Sequence, residues 1–443
     1  MAPANDMAAR IPRGAGDGAA PAAVGEALAD ARRRTLDLVS DLSDEQLLGP
    51  KLAIINPLIW EIGHVAWFQE RWVLRHACGR APVRADGDAL YDSSAVAHHT
   101  RWDLPLPSRA RTLDYMARIL DLVQETLARR GDDPKVLYFA TYALFHEDMH
   151  DEAFTYTRQT LGYPAPPFAA AAVLEPAAAP DPDGDACIQG GTFHLGAAPG
   201  DGFVFDNEKW AHPVEVAPFR LARRAVTLGE LAAFVDDGGY RRPDLWSAEG
   251  WRWRSDAGAE HPLYWRKGAD GWERRRFDSW LPLDEHRTAI HLNFFEAESY
   301  CRWARRRLPT EAEWELAAAA TPDDLGRKRR YPWGDEPPTA ARASFDTAGD
   351  VIDASALPEG DSAFGCRQML GTAWEWTSSS FRPFPGFVAD AYVDYSLPWF
   401  GTHNVLRGGA WSSRSRLLRN TFRTYYTPDR RDVWSGLRTA DDA

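Results

Sequence analysis

The stretch Phe145-His146-Glu147-Asp148-Met149-His150 decides how the first part of this chain is read. Two histidines four apart fall on one face of a helix, close enough for their imidazoles to share a divalent metal. Upstream, Glu61-Ile62-Gly63-His64-Val65-Ala66-Trp67-Phe68 carries a lone histidine in another apolar run, and His64 is the candidate third ligand. Taken alone, His146, Glu147 and His150 also match the zinc-peptidase pattern, in which the glutamate is the general base. Such enzymes commonly take their third ligand downstream of the helix, whereas His64 lies upstream. Two helix histidines with no metal are the plainer alternative.

The surrounding sequence is helical. Val24 to Val39 has helical spacing of Leu and Val, and Ser43-Asp44-Glu45-Gln46 has the form of a helix start. Asn56 is the predicted cap, and Pro57 the first-turn residue, of a helix running to about Ala77 with His64 on it. After a loop from Leu90 to Pro107, Ser108 is the predicted cap of a third helix, with Leu113, Met116, Ile119, Leu120 and Val123 at helical spacing. A fourth runs from Asp133-Pro134 to about Leu161 and carries His146 and His150. Four long helices predict a bundle, whose interior is a natural place for a metal held by facing helices.

Residues 164–185 are rich in Ala, Pro and Asp and read as a linker, so the domain boundary belongs there. The expected organisation is a leader over 1–21, the helical bundle over 22–163, the linker, and a second domain over 186–443. Beyond Cys187 the texture changes to short β-type runs, many Gly and frequent Trp. A helix is predicted over Asn293–Arg306, and Thr310 with Glu313 forms a capping box for the next. The rest reads as an α+β domain with little regular structure.

Composition narrows the function. The chain has 443 residues, is 44% hydrophobic and 26% charged, and has a net charge of -13. That charge argues against general nucleic-acid binding, which needs a basic surface, and favours small-molecule chemistry. Cys78, Cys187, Cys301 and Cys366 are scattered, which fits neither a disulfide framework nor a zinc knuckle, and a reducing cytoplasm suits them. No stretch is long and apolar enough to predict a membrane span, and no signal-peptide pattern opens the sequence.

Five segments of the second domain resemble the formylglycine-generating-enzyme fold, which is C-type-lectin-like, and they occur in that family's order. They are Gly190-Gly191-Thr192-Phe193-His194-Leu195-Gly196, Arg307-Leu308-Pro309-Thr310-Glu311-Ala312-Glu313-Trp314-Glu315, Tyr331-Pro332-Trp333-Gly334-Asp335, Gly371-Thr372-Ala373-Trp374-Glu375-Trp376 and Leu406-Arg407-Gly408-Gly409-Ala410-Trp411. Formylglycine generation itself is not implied, because that chemistry needs cysteines near the last segment and Ser412 and Ser413 stand there instead.

The first part resembles a DinB-like bundle, and the two domains in this order are similar to the EgtB/OvoA-like sulfoxide synthases. The resemblance implies a non-haem iron(II) held by His64, His146 and His150, with O2 as co-substrate and hercynine, the trimethylated betaine of histidine, as substrate. Three imidazoles suit iron and zinc alike, but coupling a chalcogen to an imidazole carbon with O2 is redox chemistry, for which zinc is inert. The family's active-site tyrosine falls on Tyr392 in Tyr392-Val393-Asp394-Tyr395, and Tyr395 joins the substrate-binding candidates.

Aromatic faces suit a quaternary ammonium, and Trp411, Tyr425 and Tyr426 are the candidates for it. A guanidinium fork suits a carboxylate, and Arg430 is the candidate, with Arg101 a second. Residues 407–438 hold eight arginines, most of which read as structural pairs or a solvated face. In the segment Thr421–Arg431, Tyr426 stands where the group carries an aspartate that holds the amino group of a γ-glutamyl-cysteine donor. An uncharged phenol cannot salt-bridge an ammonium.

That departure, with the Leu90–Pro107 loop, resembles the selenoneine-synthase (SenA) branch. The expected function is therefore O2-dependent carbon–selenium bond formation between the imidazole C2 of hercynine and a selenosugar, in the cleft between the domains. The alternative is sulfur chemistry of the ergothioneine type, with γ-glutamyl-cysteine, cysteine or a thiosugar as donor. A non-catalytic metal-binding protein is the reading from another class.

Overall fold

The computed structural model describes residues 20–168, 179–347 and 349–443. The expected leader up to residue 19, and residues 169–178 of the expected linker, lie outside the described residues. The chain divides into two compact units. One comprises the residues up to Thr157 with Pro166–Phe168 and Ala198–Val204, and the other comprises Arg158–Ala165, residues up to Ala197, and Phe205–Ala443.

The first unit is a helical bundle. Its elements are α1 (Pro21–Val39), α2 (Asp44–Leu48), α3 (Leu58–Gln69), α4 (Gly87–Tyr91), α5 (Arg109–Arg130) and α6 (Pro134–Leu161). In α1, Val24, Leu28, Ala31, Thr35 and Leu38 are buried at alternating steps of four and three, the stripe of a helix with one face on a core. In contrast, every residue of α3 is buried, so it lies inside the bundle and its composition shows no polar face. It continues without a break into a π-helical stretch, Glu70–Ala77. Phe203 of the Ala198–Val204 segment packs on Tyr138, Tyr142 and Phe145 of α6, with ring centroids 5.4, 5.6 and 5.1 Å away.

Two expected caps do not form. The Asn56 carboxamide oxygen accepts a 2.6 Å hydrogen bond from Arg101 Nη1 instead of capping α3, which begins after Pro57. At the start of α5 the Ser108 side chain makes no cap hydrogen bond. The Ser43–Gln46 capping box on α2 is present. Between α4 and α5 the expected loop contains one short 3-10 turn, His98–Thr100.

The second unit is α+β with short elements. The strands are β1 (Asp185–Ile188), β2 (Gly191–Leu195), β3 (His212–Val216), β4 (Phe219–Ala222), β5 (Trp265–Lys267), β6 (Trp272–Arg276), β7 (Ser279–Pro282), β8 (Trp374–Ser380), β9 (Asn404–Arg407), β10 (Thr424–Tyr426), β11 (Ser435–Gly436) and β12 (Ala440–Asp442). They form sheets β1-β4-β12, β10-β9-β8-β11, β2-β3 and β5-β6-β7, antiparallel except for β8 with β11. The helices are α7 (Leu228–Asp236), α8 (Ala248–Asp256), α9 (Phe294–Trp303) and α10 (Glu311–Ala319). Sequence analysis anticipated α9, though over the longer range Asn293–Arg306, and α10 with its Thr310 cap, but not the Asn293 cap of α9 nor α7 or α8.

So little regular structure is pinned by buried ion pairs. Arg407 donates to Glu311 (2.8 Å) and Glu315 (2.6 Å), Arg423 to Glu311 (2.6 Å), and Arg438 to Glu375 (2.9 Å); Arg419 pairs with Glu208. Four of the eight clustered arginines are thus structural. Among the described residues no helix is long and apolar enough to cross a membrane.

Candidate metal centre and the tyrosine-bearing turn

His64 on α3 and His146 and His150 on α6 converge in the interior of the helical unit. One nitrogen from each lies within 4.8 Å of the others, and the ring centroids are 4.5 to 5.0 Å apart. Their orientation is fixed from behind. His64 Nδ1 lies 2.8 Å from the Tyr91 carbonyl oxygen, so Nδ1 carries the proton and the Nε2 lone pair is left for a ligand. His150 Nδ1 lies 2.5 Å from the buried Glu61 carboxylate, with the same consequence. His146 is stacked on Phe68 at 3.6 Å, and its buried Nδ1 has no hydrogen-bond partner. Burial, then the neighbouring histidines, hold the pKa values of His64 and His146 well below the ordinary imidazole value, so both rings are neutral donors.

The close approach of Tyr91 depends on Gly63. A Cβ there would sit 2.3 Å from the Tyr91 ring, so only glycine lets α4 come near enough for its last carbonyl to reach His64. Glu147 plays no comparable part. It is fully buried and accepts from Arg32 (2.7 Å), Gln69 (2.6 Å) and Thr35 (2.9 Å), which commits it to holding α1 and α3 to α6. A general base needs a free lone pair beside the metal, and the peptidase reading therefore fails on this residue.

Arg101 is buried near the same centre. Its guanidinium lies 4.0 Å over the Trp60 ring, which is stacked on His64 at 4.8 Å, and its charge contributes to depressing the His64 pKa. His98 is bonded through Nε2 to the Ile55 carbonyl at 2.6 Å and is not part of the triad.

The other candidates belong to the second unit. Tyr392 is half-buried and opens a 3-10 turn, Val393–Tyr395, in which the Tyr395 N–H donates to its carbonyl at 3.2 Å. Tyr395 stacks on Phe205 at 4.4 Å and Tyr425 on Phe381 at 3.8 Å; burial pushes both phenols well above the usual range, so they stay protonated. Trp411 is buried against Trp434 at 4.6 Å, with no partner for its indole N–H. Arg430 is paired with Asp432 at 2.7 and 2.8 Å and lies 5.3 Å over the Tyr426 ring.

Residues 27–154 match the DinB superfamily, and residues 170–443 match the sulfatase-modifying factor enzyme 1-like domain. Across both, the chain is 40% identical over 424 residues to a hercynine oxygenase of Mycobacterium tuberculosis, covering 94% of this chain and 97% of that protein. A hercynine oxygenase of Mycolicibacterium thermoresistibile is 39% identical over 428 residues, with 94% of each chain covered.

The chain belongs to the EgtB/OvoA-like sulfoxide synthase group.

Membership makes it an oxidoreductase. A formylglycine-generating enzyme of Streptomyces coelicolor is 33% identical over 315 residues, covering 63% of this chain and 96% of that protein. Sequence analysis missed Glu61 and Tyr91, which aim the ligands, and Gly63, which admits Tyr91. Glu61 sits in the quoted His64 stretch, but its partner is 89 residues away and no local spacing reveals it.

Proposed function

We propose that this protein is a hercynine-modifying, iron(II)- and O2-dependent synthase of the hercynine sulfoxide synthase type, joining sulfur to the imidazole carbon of hercynine. The observation that carries this reading is the three-histidine centre, in a chain that matches proteins called hercynine oxygenases over nearly its whole length. The donor set fits iron(II). It offers three imidazole nitrogens, those of His64 and His146 buried and that of His150 partly buried, two of the rings aimed by hydrogen bonds on the opposite ring nitrogen. When bound, the iron supplies the redox chemistry with O2 that closed-shell zinc lacks.

The chain's own residues do the rest in this reading. His64, His146 and His150 hold the metal, while Tyr91 and Glu61 keep the rings from turning. The bundle, assigned to 22–163, carries these ligands and Arg101, and the domain assigned to 186–443 carries the other substrate-handling groups. The Tyr392 phenol delivers a proton as the new bond forms. Arg430 and Arg101 are the cations for substrate carboxylates, and Tyr395, Trp411, Tyr425 and Tyr426 supply aromatic surface for the trimethylammonium group. Tyr392→Phe is expected to slow or divert bond formation at unchanged iron content. Unchanged turnover would remove Tyr392 from the mechanism.

A second reading is favoured by one residue. Tyr426 stands where the group's γ-glutamyl-cysteine-binding aspartate is expected, and a phenol offers a sugar hydroxyl a hydrogen-bond partner while offering an amino-acid ammonium no counter-charge. This supports a selenosugar as donor. Aerobic incubation of iron-loaded protein with hercynine and competing selenosugar, thiosugar, cysteine and γ-glutamyl-cysteine, followed by mass spectrometry, decides between the readings. Product from γ-glutamyl-cysteine alone excludes selenium; product from the selenosugar alone excludes the sulfur donors.

A further inference from the structure

The segment from Val388 to Trp399 has little packing on its outer side. Of the eight large apolar side chains exposed among the described residues, four are Val388, Val393, Leu397 and Trp399. Its only regular structure is two single 3-10 turns. A segment built this way is placed by its inward contacts; Tyr395 meets Tyr425, and a group of hydrogen bonds runs to one short stretch, Phe205–Lys209.

The bonds grip both ends of the tyrosine turn. Before it, Lys209 Nζ donates to both Asp390 oxygens at 2.8 and 2.7 Å, and the Asp390 N–H donates to Asp206 Oδ2 at 3.3 Å. After it, the buried Ser396 hydroxyl donates to Asp206 Oδ1 at 2.5 Å, and Asn207 Nδ2 donates to Ser396 Oγ at 3.1 Å. Within it, Phe205 stacks on Tyr395. The same stretch is tied to the C-terminal segment, because Arg423 Nη1 donates to the Asn207 carbonyl at 2.6 Å and Thr421 Oγ1 donates to Glu208 at 2.8 Å.

We propose that Asp206, acting with Asn207 and Lys209, is a positioning residue that sets where the Tyr392–Tyr395 turn presents its phenols. The proposal rests on the reading of Tyr392 as the proton donor and names what fixes it. Asp206 bonds to both ends of the turn, through one oxygen each.

That arrangement is sensitive to a proton. A carboxylate accepts at both oxygens; the protonated acid must reverse or lose the bond to Ser396 or the one to the Asp390 N–H. Burial chiefly, and the Asp390 carboxylate, raise the Asp206 pKa to about 6, against Ser396, the Asp390 N–H and Lys209, which lower it. Glu208, Arg419 and the phenols of Tyr395 and Tyr425 also face this cluster. Below about pH 6 the turn therefore has one of its two Asp206 bonds reversed or lost, while the Lys209–Asp390 and Asn207–Ser396 bonds remain.

The test uses the full-length iron-loaded protein and four forms: wild type, Asp206→Asn, Ser396→Ala and Tyr392→Phe. Hercynine turnover is measured from pH 5 to 8, and 3-fluorotyrosine placed at position 392 reports the turn by fluorine NMR without turnover. For the wild type, kcat is expected to fall about tenfold per pH unit below the Asp206 midpoint, with KM changed much less and the fluorine shift following the same midpoint. In Asp206→Asn both titrations vanish and kcat at pH 7 is lowered; Ser396→Ala shows the same direction in milder form and carries the test if Asp206→Asn does not fold. Wild-type kcat with an unaltered fluorine titration in these variants overturns the positioning role. Wild-type turnover in Tyr392→Phe overturns the Tyr392 reading instead, and the fluorine signal still decides whether Asp206 sets the turn.

Discussion

Gly63 lacks a side chain because the Tyr91 ring fills that space, and the consequence reaches the metal. A glycine inside a helix costs about 1 kcal/mol relative to alanine, yet here it allows the Tyr91 carbonyl to fix the His64 tautomer. Gly63→Ala is expected to lower stability by about 1–3 kcal/mol through overpacking, despite its better helix propensity, and to weaken metal binding as well. Denaturant melts with and without iron(II) check both effects; a variant as stable as wild type with unchanged affinity would show that Tyr91 can retreat freely. Glu61 acts on His150 as Tyr91 acts on His64, and Glu147, the residue the zinc-peptidase pattern singles out, is absorbed by Arg32, Gln69 and Thr35. The letters of a motif fix spacing, while partners fix chemistry.

At the scale of elements, the second unit holds its short strands by charges buried between them. Arg438 links the C-terminal stretch to Glu375 on β8 and donates to the carbonyls of Ala222 and Arg367. Glu375 is almost fully buried, and its other donor is the neutral Trp314 indole N–H. Removing one partner of such a pair leaves a charge in low dielectric. Arg438→Met is therefore expected to cost about 3–5 kcal/mol. Arg407→Met should cost less, because Arg423 still pairs with Glu311 and Lys328 with Glu315. Thermal unfolding of the two variants side by side tests the ranking; equal losses would contradict it. This is also why the arginine-rich C-terminus is not a basic face in an acidic protein.

For the molecule as a whole, a metal that binds only the folded centre stabilises it by mass action. Iron(II) at a hundredfold excess over its Kd is expected to raise unfolding free energy by about 2.7 kcal/mol, and His146→Ala should abolish the shift. Calorimetry under anaerobic conditions, with and without metal, provides the measurement. An equal shift in His146→Ala would place the bound ion elsewhere.

The sequence by itself determined the helical bundle and the helices that carry the three histidines, which follow from local periodicity, while the second fold and the three histidines as one ligand set were legible only through a family resemblance. Even there it misplaced two caps, because Asn56 was drawn to Arg101 and the Ser108 side chain made no cap bond. Only the tertiary structure decided which ring nitrogens are left for a metal, what neutralises Glu147, and what grips the turn around Tyr392. Those outcomes depend on partners tens to hundreds of residues apart, such as Glu61 with His150 and Asp206 with Ser396. Hydrogen bonds and ion pairs between distant segments leave no period in the sequence, and their geometry exists only once the chain has closed around them.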